Sequence, residues 1–290
     1  MLRLKKLRFW DYLILAILAA FVAMVWMNIE GALRYNWRWS VIPSYIVWYD
    51  EGDARWAPGI LLTGLLTTIR ICIYSTVLAV ILGTILGIAR CSKTLIVRML
   101  ARTYVEVLRN IPPVVVIFIF FFFLSEQIIS AVNVEAWARR IARQEDNAIW
   151  YFFFGDMRQF PSLISGVIVL ALFESAFIAE IIRAGIQSIP KGQTEAALSI
   201  GMGSVDRLRF IVLPQAVQKV LPPLASQFIT LIKDSTIISL ISVQDLTYNT
   251  LEVVVSTHAI FEAWLSTAAM YFLLCFGMSL FFRRLEAKTL

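Results

Sequence analysis

The chain is 290 residues long, 59% hydrophobic and only 16% charged, with a mean hydropathy of +0.76. Those values exclude an ordinary soluble domain and a disordered chain, and they require a bilayer as solvent. The net charge of +6 then has to be explained by topology before any acidic partner is invoked.

A membrane span needs about 20 largely apolar residues. In chain order such runs are predicted at Tyr12–Ile29, Ile60–Ala89, Ile111–Ser125, Ser162–Ile182, Leu221–Val243 and Ala263–Phe282. The expected fold is therefore an all-α membrane protein with six transmembrane helices. The third run is short, so it is extended back towards Thr103 with Pro112–Pro113 as a bend, which a membrane helix tolerates when neighbours satisfy the freed carbonyls. The opening run, "MLRLKKLRFWDYLILAILAAF", is read as an anchor and not a cleaved leader, because it ends in the bulky "VWMNIE" without a small-x-small site. With the N-terminus inside, the cytoplasmic segments 1–10, 90–109, 183–219 and 283–290 hold seventeen Lys and Arg, and the external segments hold seven. That asymmetry places both termini in the cytoplasm. The positive charge becomes topology and headgroup contact, with no nucleic acid implied.

The external segments Gly31–Pro58 and Glu126–Pro161 are rich in aromatics, including Trp37, Trp39, Trp48, Trp56, Trp150 and Tyr151. They suit an interfacial belt or a contact for an extracytoplasmic protein. Cys72, Cys91 and Cys275 form no C-x-x-C pair, and His258 stands alone in a loop, so neither a disulfide framework nor a zinc site is supported. No phosphate loop, nucleophile elbow or zinc-protease motif occurs. The chain is expected to be no enzyme and to carry no cofactor of its own.

The longest polar interruption is "SIPKGQTEAALSIGMGSVDRLRFIVLP", Ser188–Pro214. Pro190 suits a helix start, Thr194–Ile200 a short helix, and Gly201 with Gly203 a tight turn. Ser204 is expected to cap a second helix, with Asp206 near its positive end and Pro214 kinking it. The product is a compact helix-turn-helix with small residues at its tip, a shape that lets another surface approach closely.

Glu195, Ala196, Ala197, Gly201, Ile211, Leu213 and Pro214 match, residue by residue, the EAA motif of permease subunits of ABC importers. "GLLTTIRICIYSTVLAVILGTILGIAR", "YVEVLRNIPPVVVIF", "AFIAEIIRAGIQSIPKGQ" and "LIKDSTIISLISVQDL" are similar to the polar amino-acid uptake branch of that family. The resemblance implies a five-helix permease core over residues 60–290, with a coupling loop at 185–216. The N-terminal helix and external loop of 1–59 look like an addition to it. It further implies a bacterial inner-membrane location and a pore shared with a second copy or a sister permease. Two ATP-binding cassette subunits would bind ATP and Mg and dock on Gly192, Glu195, Ala196, Ala197, Gly201, Leu213 and Pro214. An amino-acid-binding protein would deliver substrate from outside.

Charges inside the spans are costly by about 2.5 kcal/mol or more each and should face a partner or a wet cavity. Glu174 lies about 12 residues into the fourth run and Lys233–Asp234 about 12 into the fifth, which places both near the bilayer centre at ~1.5 Å per residue. They are candidates for the substrate path, where a zwitterion needs one group of each sign; neutralising charges on neighbouring helices is the other reading. Glu180 and Arg183, three apart, are expected to pair. The alternative to an ATP-driven importer is an ATPase-independent secondary transporter or channel, which inverted repeats would favour.

Overall fold

The computed structural model describes residues 9–33, 35–52, 54–144 and 148–289, with the side chains of 11, 26, 28–33 and 286–289 outside that description. The basic start at 1–8 lies outside it too. Two compact units divide the chain at Ser40 and Val41. In the first, helix α1 (Phe9–Leu33) exposes Leu13, Ile14, Ile17, Leu18, Phe21 and Val22, the all-round apolar surface that a lipid-facing helix presents.

The second unit begins with a short helix α2 (Ile42–Ile46) and a small antiparallel hairpin, β1 (Val47–Asp50) and β2 (Arg55–Pro58). Nothing in the hydrophobic periodicity foretold this hairpin; its Trp48, Tyr49 and Trp56 are exposed. Long helix α3 (Ile60–Arg90) follows, then α4 (Leu95–Asn110), α5 (Pro113–Phe120), a π-turn at Phe121–Ser125 and α6 (Glu126–Ala131). The expected backward extension of the third span is not what forms. Ile111 is extended, with ψ 141°, as the residue before a proline is driven to be, and Pro112 and Pro113 contribute no N–H to a continuing ladder. Helix α4 is consequently a separate amphipathic element, and the span runs Pro113–Ala131.

Helices α7 (Val134–Ala142) and α8 (Ala148–Phe154) fold over the start of α9 (Phe160–Gln187). Their aromatics divide: Trp150 and Phe154 pack with Trp137 around Ala138, Ile141, Met157 and Phe160, whereas Tyr151, Phe152 and Phe153 stay exposed. After α9 come α10 (Lys191–Ser199), α11 (Ser204–Arg207), a π-turn at Leu208–Val212 and α12 (Leu213–Asp234). A 3-10 turn at Ser235–Ile241 leads to α13 (Leu246–Thr257) and α14 (Ile260–Thr289). His258 closes α13 in the left-handed conformation at φ 58°.

Among the described residues, five helical stretches are long and apolar enough to cross a membrane, at Ile60–Arg90, Pro113–Ala131, Phe160–Gln187, Ser204–Ile241 and Ile260–Leu285. The N-terminal helix adds a shorter apolar run, Tyr12–Val25. In α9, 72% of the apolar window is buried, against 6% in α14, so α9 is the central helix of the second unit and α14 a peripheral one. Helix α9 packs on α3 through a stripe of small residues at four-residue spacing, Ser75, Ala79, Gly83 and Gly87. A Cβ on Gly83 would stand 2.6 Å from Ile178, and one on Gly87 2.7 Å from Ile182. Such stripes let two membrane helices approach more closely than larger side chains permit.

Candidate translocation and coupling sites

Helix α9 carries Glu174 into the middle of the core, where the residue is fully buried between Phe173 and Ser175. Its Oε2 accepts a hydrogen bond of 2.7 Å from Gln227 Nε2 on α12, and its Oε1 has no partner among the described residues. Asp234, two turns beyond Gln227 on α12, brings its carboxyl close enough to interact with that of Glu174. The structure thus joins Glu174, Gln227 and Asp234 across two helices. Lys233 turns to the exposed side of α12 and makes no ion pair among the described residues. Gln227 was missed from sequence, although its spacing of seven from Asp234 puts the two on one helix face.

Glu180 does pair with Arg183, but it serves more than that one partner. Arg90 Nη1 from α3 donates to its Oε2 at 2.5 Å, and Arg109 Nη1 from α4 lies at 3.8 Å. One carboxylate therefore ties together the Arg90 end of α3, the end of α4 and the last turns of α9.

The 185–216 loop begins at the same end. Pro190 precedes α10 as its N-cap residue, and the helix closes on Gly201 at φ +80°. Met202 N–H donates to Ala197 O at 3.0 Å and Gly201 N–H to Leu198 O at 2.9 Å, the paired bonds of a Schellman ending that only glycine enters without strain. Ala197 turns inward at 3% exposure, whereas Gly192, Glu195, Ala196, Leu198 and Ile200 face outward. The second arm is capped differently from expectation. Gly203 occupies the N-cap with no side-chain bond, and Ser204 is the first helical residue. The reason is local: Gly203 already holds the extended conformation that a cap needs, with ψ 164°. Pro214 sits in the first turn of α12 directly after the π-turn, where its missing N–H leaves no gap in the ladder. Leu213 is half-buried and Pro214 exposed. Ile189, Val212 and Ala216 pack the base of the loop, and Lys219 Nζ donates to Ser188 O at 2.9 Å. What stands clear is a knuckle of Leu198, Ile200, Val205 and Phe210, all more than half exposed.

The profile of the binding-protein-dependent transport system inner membrane component family matches residues 75–290. The chain belongs to that family. It is 33% identical over 229 residues to the Bacillus subtilis (strain 168) protein named "Probable glutamine ABC transporter permease protein GlnP", covering 78% of this chain and 91% of that one. It is 30% identical to "Glutamate/aspartate import permease protein GltK" of Escherichia coli (strain CFT073), covering 79% and 93%. The crystal structure of an amino acid ABC transporter with histidines superposes with a TM-score of 0.62 at 28% identity, over 79% of this chain and 94% of that one. The chain is thus the membrane-spanning permease subunit of an ABC importer, a multi-pass inner-membrane protein that works within a complex of subunits. ATP hydrolysis belongs to a separate subunit of such importers. The ATPase-independent alternative gives way to this membership.

Proposed function

We propose that this permease imports polar amino acids by alternating access, with both termini in the cytoplasm and the 185–216 loop as its coupling element. In this reading residues 1–59 form an anchoring helix with an external loop, and 60–290 the permease domain. The pore forms with a second copy or a sister permease about a two-fold axis. Two ATP-binding cassette subunits carrying ATP and Mg lie below, and an extracytoplasmic amino-acid-binding protein above. The observation that carries the reading is the outward knuckle of α10 and α11: small and apolar residues held rigid by the Gly201 closure, on a loop that leaves the spans. An amphipathic connector lying on headgroups would instead call for one continuous helix, not two short arms broken at Gly201 and Gly203. The amino-acid cargo is supported by what the relatives are named for and by Glu174, whose Oε1 has no hydrogen-bond partner among the described residues and whose carboxyl, next to that of Asp234, suits an ammonium group. In this reading Lys233, exposed on α12, meets the cargo carboxylate or a second permease across the pore.

The test is uptake in reconstituted vesicles. A Cβ at Gly201 meets open space, so Gly201→Val acts through its left-handed backbone alone, at about 1–2 kcal/mol. Gly201→Val and Glu195→Lys should each abolish ATP-driven amino-acid uptake while leaving membrane abundance intact. Unchanged uptake in both variants sinks the coupling assignment.

A further inference from the structure

A second polar pocket lies at the Ile60 end of α3, far along that helix from the Glu180 cluster and distinct from the Glu174 site. Its volume is about 200 Å³, and its lining includes Thr67, Arg70, Asp156, Gln159 and Gln244. The volume is below the ~300–1,000 Å³ of pockets that hold drug-sized ligands and suits an occupant of roughly ten heavy atoms or fewer.

Arg70 is anchored before any ligand arrives. Its Nη2 donates to Tyr151 O and Phe152 O, both at 3.1 Å, and its Nε to Phe152 O at 3.3 Å, while Tyr74 OH donates to Phe153 O at 2.8 Å. These bonds give donors to Phe152 O and Phe153 O at the end of α8 and a second donor to Tyr151 O, which already accepts from Gly155 N–H at 2.8 Å, and a cation there is favoured by the helix dipole. They leave Nη1 with no acceptor among the described residues. Gly155 keeps the flank of that nitrogen open: its φ is +78°, and a Cβ there would stand 2.9 Å from Nη1. A guanidinium that is fixed by its other nitrogens and open on one edge is pre-organised for a carboxylate.

The opposite charge is also present. Asp156 is exposed and its Oδ1 accepts from Arg158 N–H at 2.9 Å, which leaves Oδ2 free. Gln159 Nε2 donates to Gln244 Oε1, which leaves the Gln159 carbonyl as an acceptor and the Gln244 amide NH2 as a donor. The lining sums to no net charge from Arg70 and Asp156 but holds the two signs apart, with a neutral donor and acceptor besides. A simple anion would be repelled by Asp156 and a simple cation by Arg70. A small zwitterion matches both at once.

We infer that this pocket binds a free α-amino acid, its carboxylate on Arg70 Nη1 and its ammonium on Asp156, before the molecule reaches the midspan site. The inference rests on the proposed function for the side from which amino acid arrives, and on the pocket geometry for the site itself.

The assembled transporter, purified in detergent with its co-eluting subunits, is titrated with glutamine, glycine, acetate and methylammonium, and thermal unfolding is followed. Glutamine and glycine should stabilise the wild type saturably, with acetate and methylammonium at least tenfold weaker. Asp156→Asn, an exposed position that should not disturb folding, should weaken glycine binding about tenfold to a hundredfold by removing one charge-assisted bond. Gln244→Ala serves as a second variant, and Arg70→Lys should lose affinity even where α8 stays capped. Wild-type affinity in both Asp156→Asn and Gln244→Ala, or equal binding of acetate and glycine, overturns the inference. Failure of the proposed function reads differently: amino acids would then stabilise the protein through this pocket but drive no ATP-dependent uptake.

Discussion

Replacing Gly87 with alanine isolates the contact that holds α3 on α9. The added methyl would lie 2.7 Å from Ile182 Cβ and 2.8 Å from the carbonyl oxygen of Ala179, where ordinary contact begins at 3.4 Å. Ile182 Cβ is fixed to its backbone and the Ala179 oxygen is itself backbone, so neither yields by a rotamer change and the two helices must part by roughly 0.6 Å. Overpacking of this kind costs about 1–3 kcal/mol. Gly277 on α14 is the internal control, because nothing lies within 4 Å of the same methyl there. In that open position the change to alanine should gain up to about 1 kcal/mol from helix propensity alone. Both glycines are helical, so the propensity gain cancels and the two variants separate by the overpacking alone, about 1–3 kcal/mol. Thermal unfolding in one detergent reads this as midpoints at least ~2 °C apart, with Gly87→Ala the lower. A Gly87→Ala protein as stable as Gly277→Ala would refute the close-packing account of the α3–α9 pair.

Other perturbations separate the remaining contacts. Glu180→Gln should lower stability by about 1–3 kcal/mol, since it leaves three guanidinium groups facing one another without their shared carboxylate; double variants with Arg90→Ala should show non-additivity in the unfolding midpoint. Asp245 is fully buried at the start of α13, where burial lifts its carboxyl from the ordinary 3.8 to about 7 against hydrogen bonds led by that from Tyr248 N–H. The folded chain therefore holds that proton more tightly than the unfolded one, so this contribution is complete below pH 3.8 and is lost as pH rises towards 7. Asp245→Asn should flatten that part of the stability profile, and an unchanged slope would remove Asp245 as its source. Glu174→Gln should keep membrane abundance normal and reduce uptake roughly ten- to a hundredfold. Normal uptake would take Glu174 out of the path.

The spans were legible because a bilayer imposes one coarse requirement, length and apolarity, that composition meets directly. Their breaks were less so. Pro112–Pro113 reads equally as a kink or a stop, and what decides it is the extended Ile111 together with α4 turning its buried face, Ala101, Val105 and Leu108, onto the core. The turn between the two arms of the 185–216 loop was readable at Gly201, since a positive φ restricts the residue that can occupy it. Ser204 misled because a serine before a helix looks like a cap whether or not a preceding glycine has already taken that position. The α3 stripe of Ser75, Ala79, Gly83 and Gly87 was present as a spacing of four, but small residues announce a close approach without naming the partner. The α8 cap could not be read at all. It joins Arg70 to carbonyls some 80 residues away, and a backbone acceptor leaves no mark in side-chain sequence.

Under the proposed function, these contacts determine how a push on the knuckle reaches the midspan charges. Glu174 and Gln187 lie on the same unbroken helix, about 20 Å apart at ~1.5 Å per residue. The Glu180 cluster braces that helix against α3 and α4. Helix α12 is attached at the loop end by Lys219 to Ser188 and by Val220, which occupies the space a side chain at Gly185 would need. Further along it carries Pro222 and Pro223, which lack N–H groups and leave the carbonyls of Gln218 and Lys219 without their helical donors. That is the compliant point of α12, and Gln227 and Asp234 both lie beyond it. A displacement of the loop therefore moves α9 as a rod and bends α12 at the prolines, so the relative motion falls on the hydrogen bond between Gln227 and Glu174. Replacing Pro222 and Pro223 together with alanine should stiffen α12, raise its thermal stability and slow transport while leaving ATPase docking intact. Faster or unchanged transport in that variant would place the hinge elsewhere.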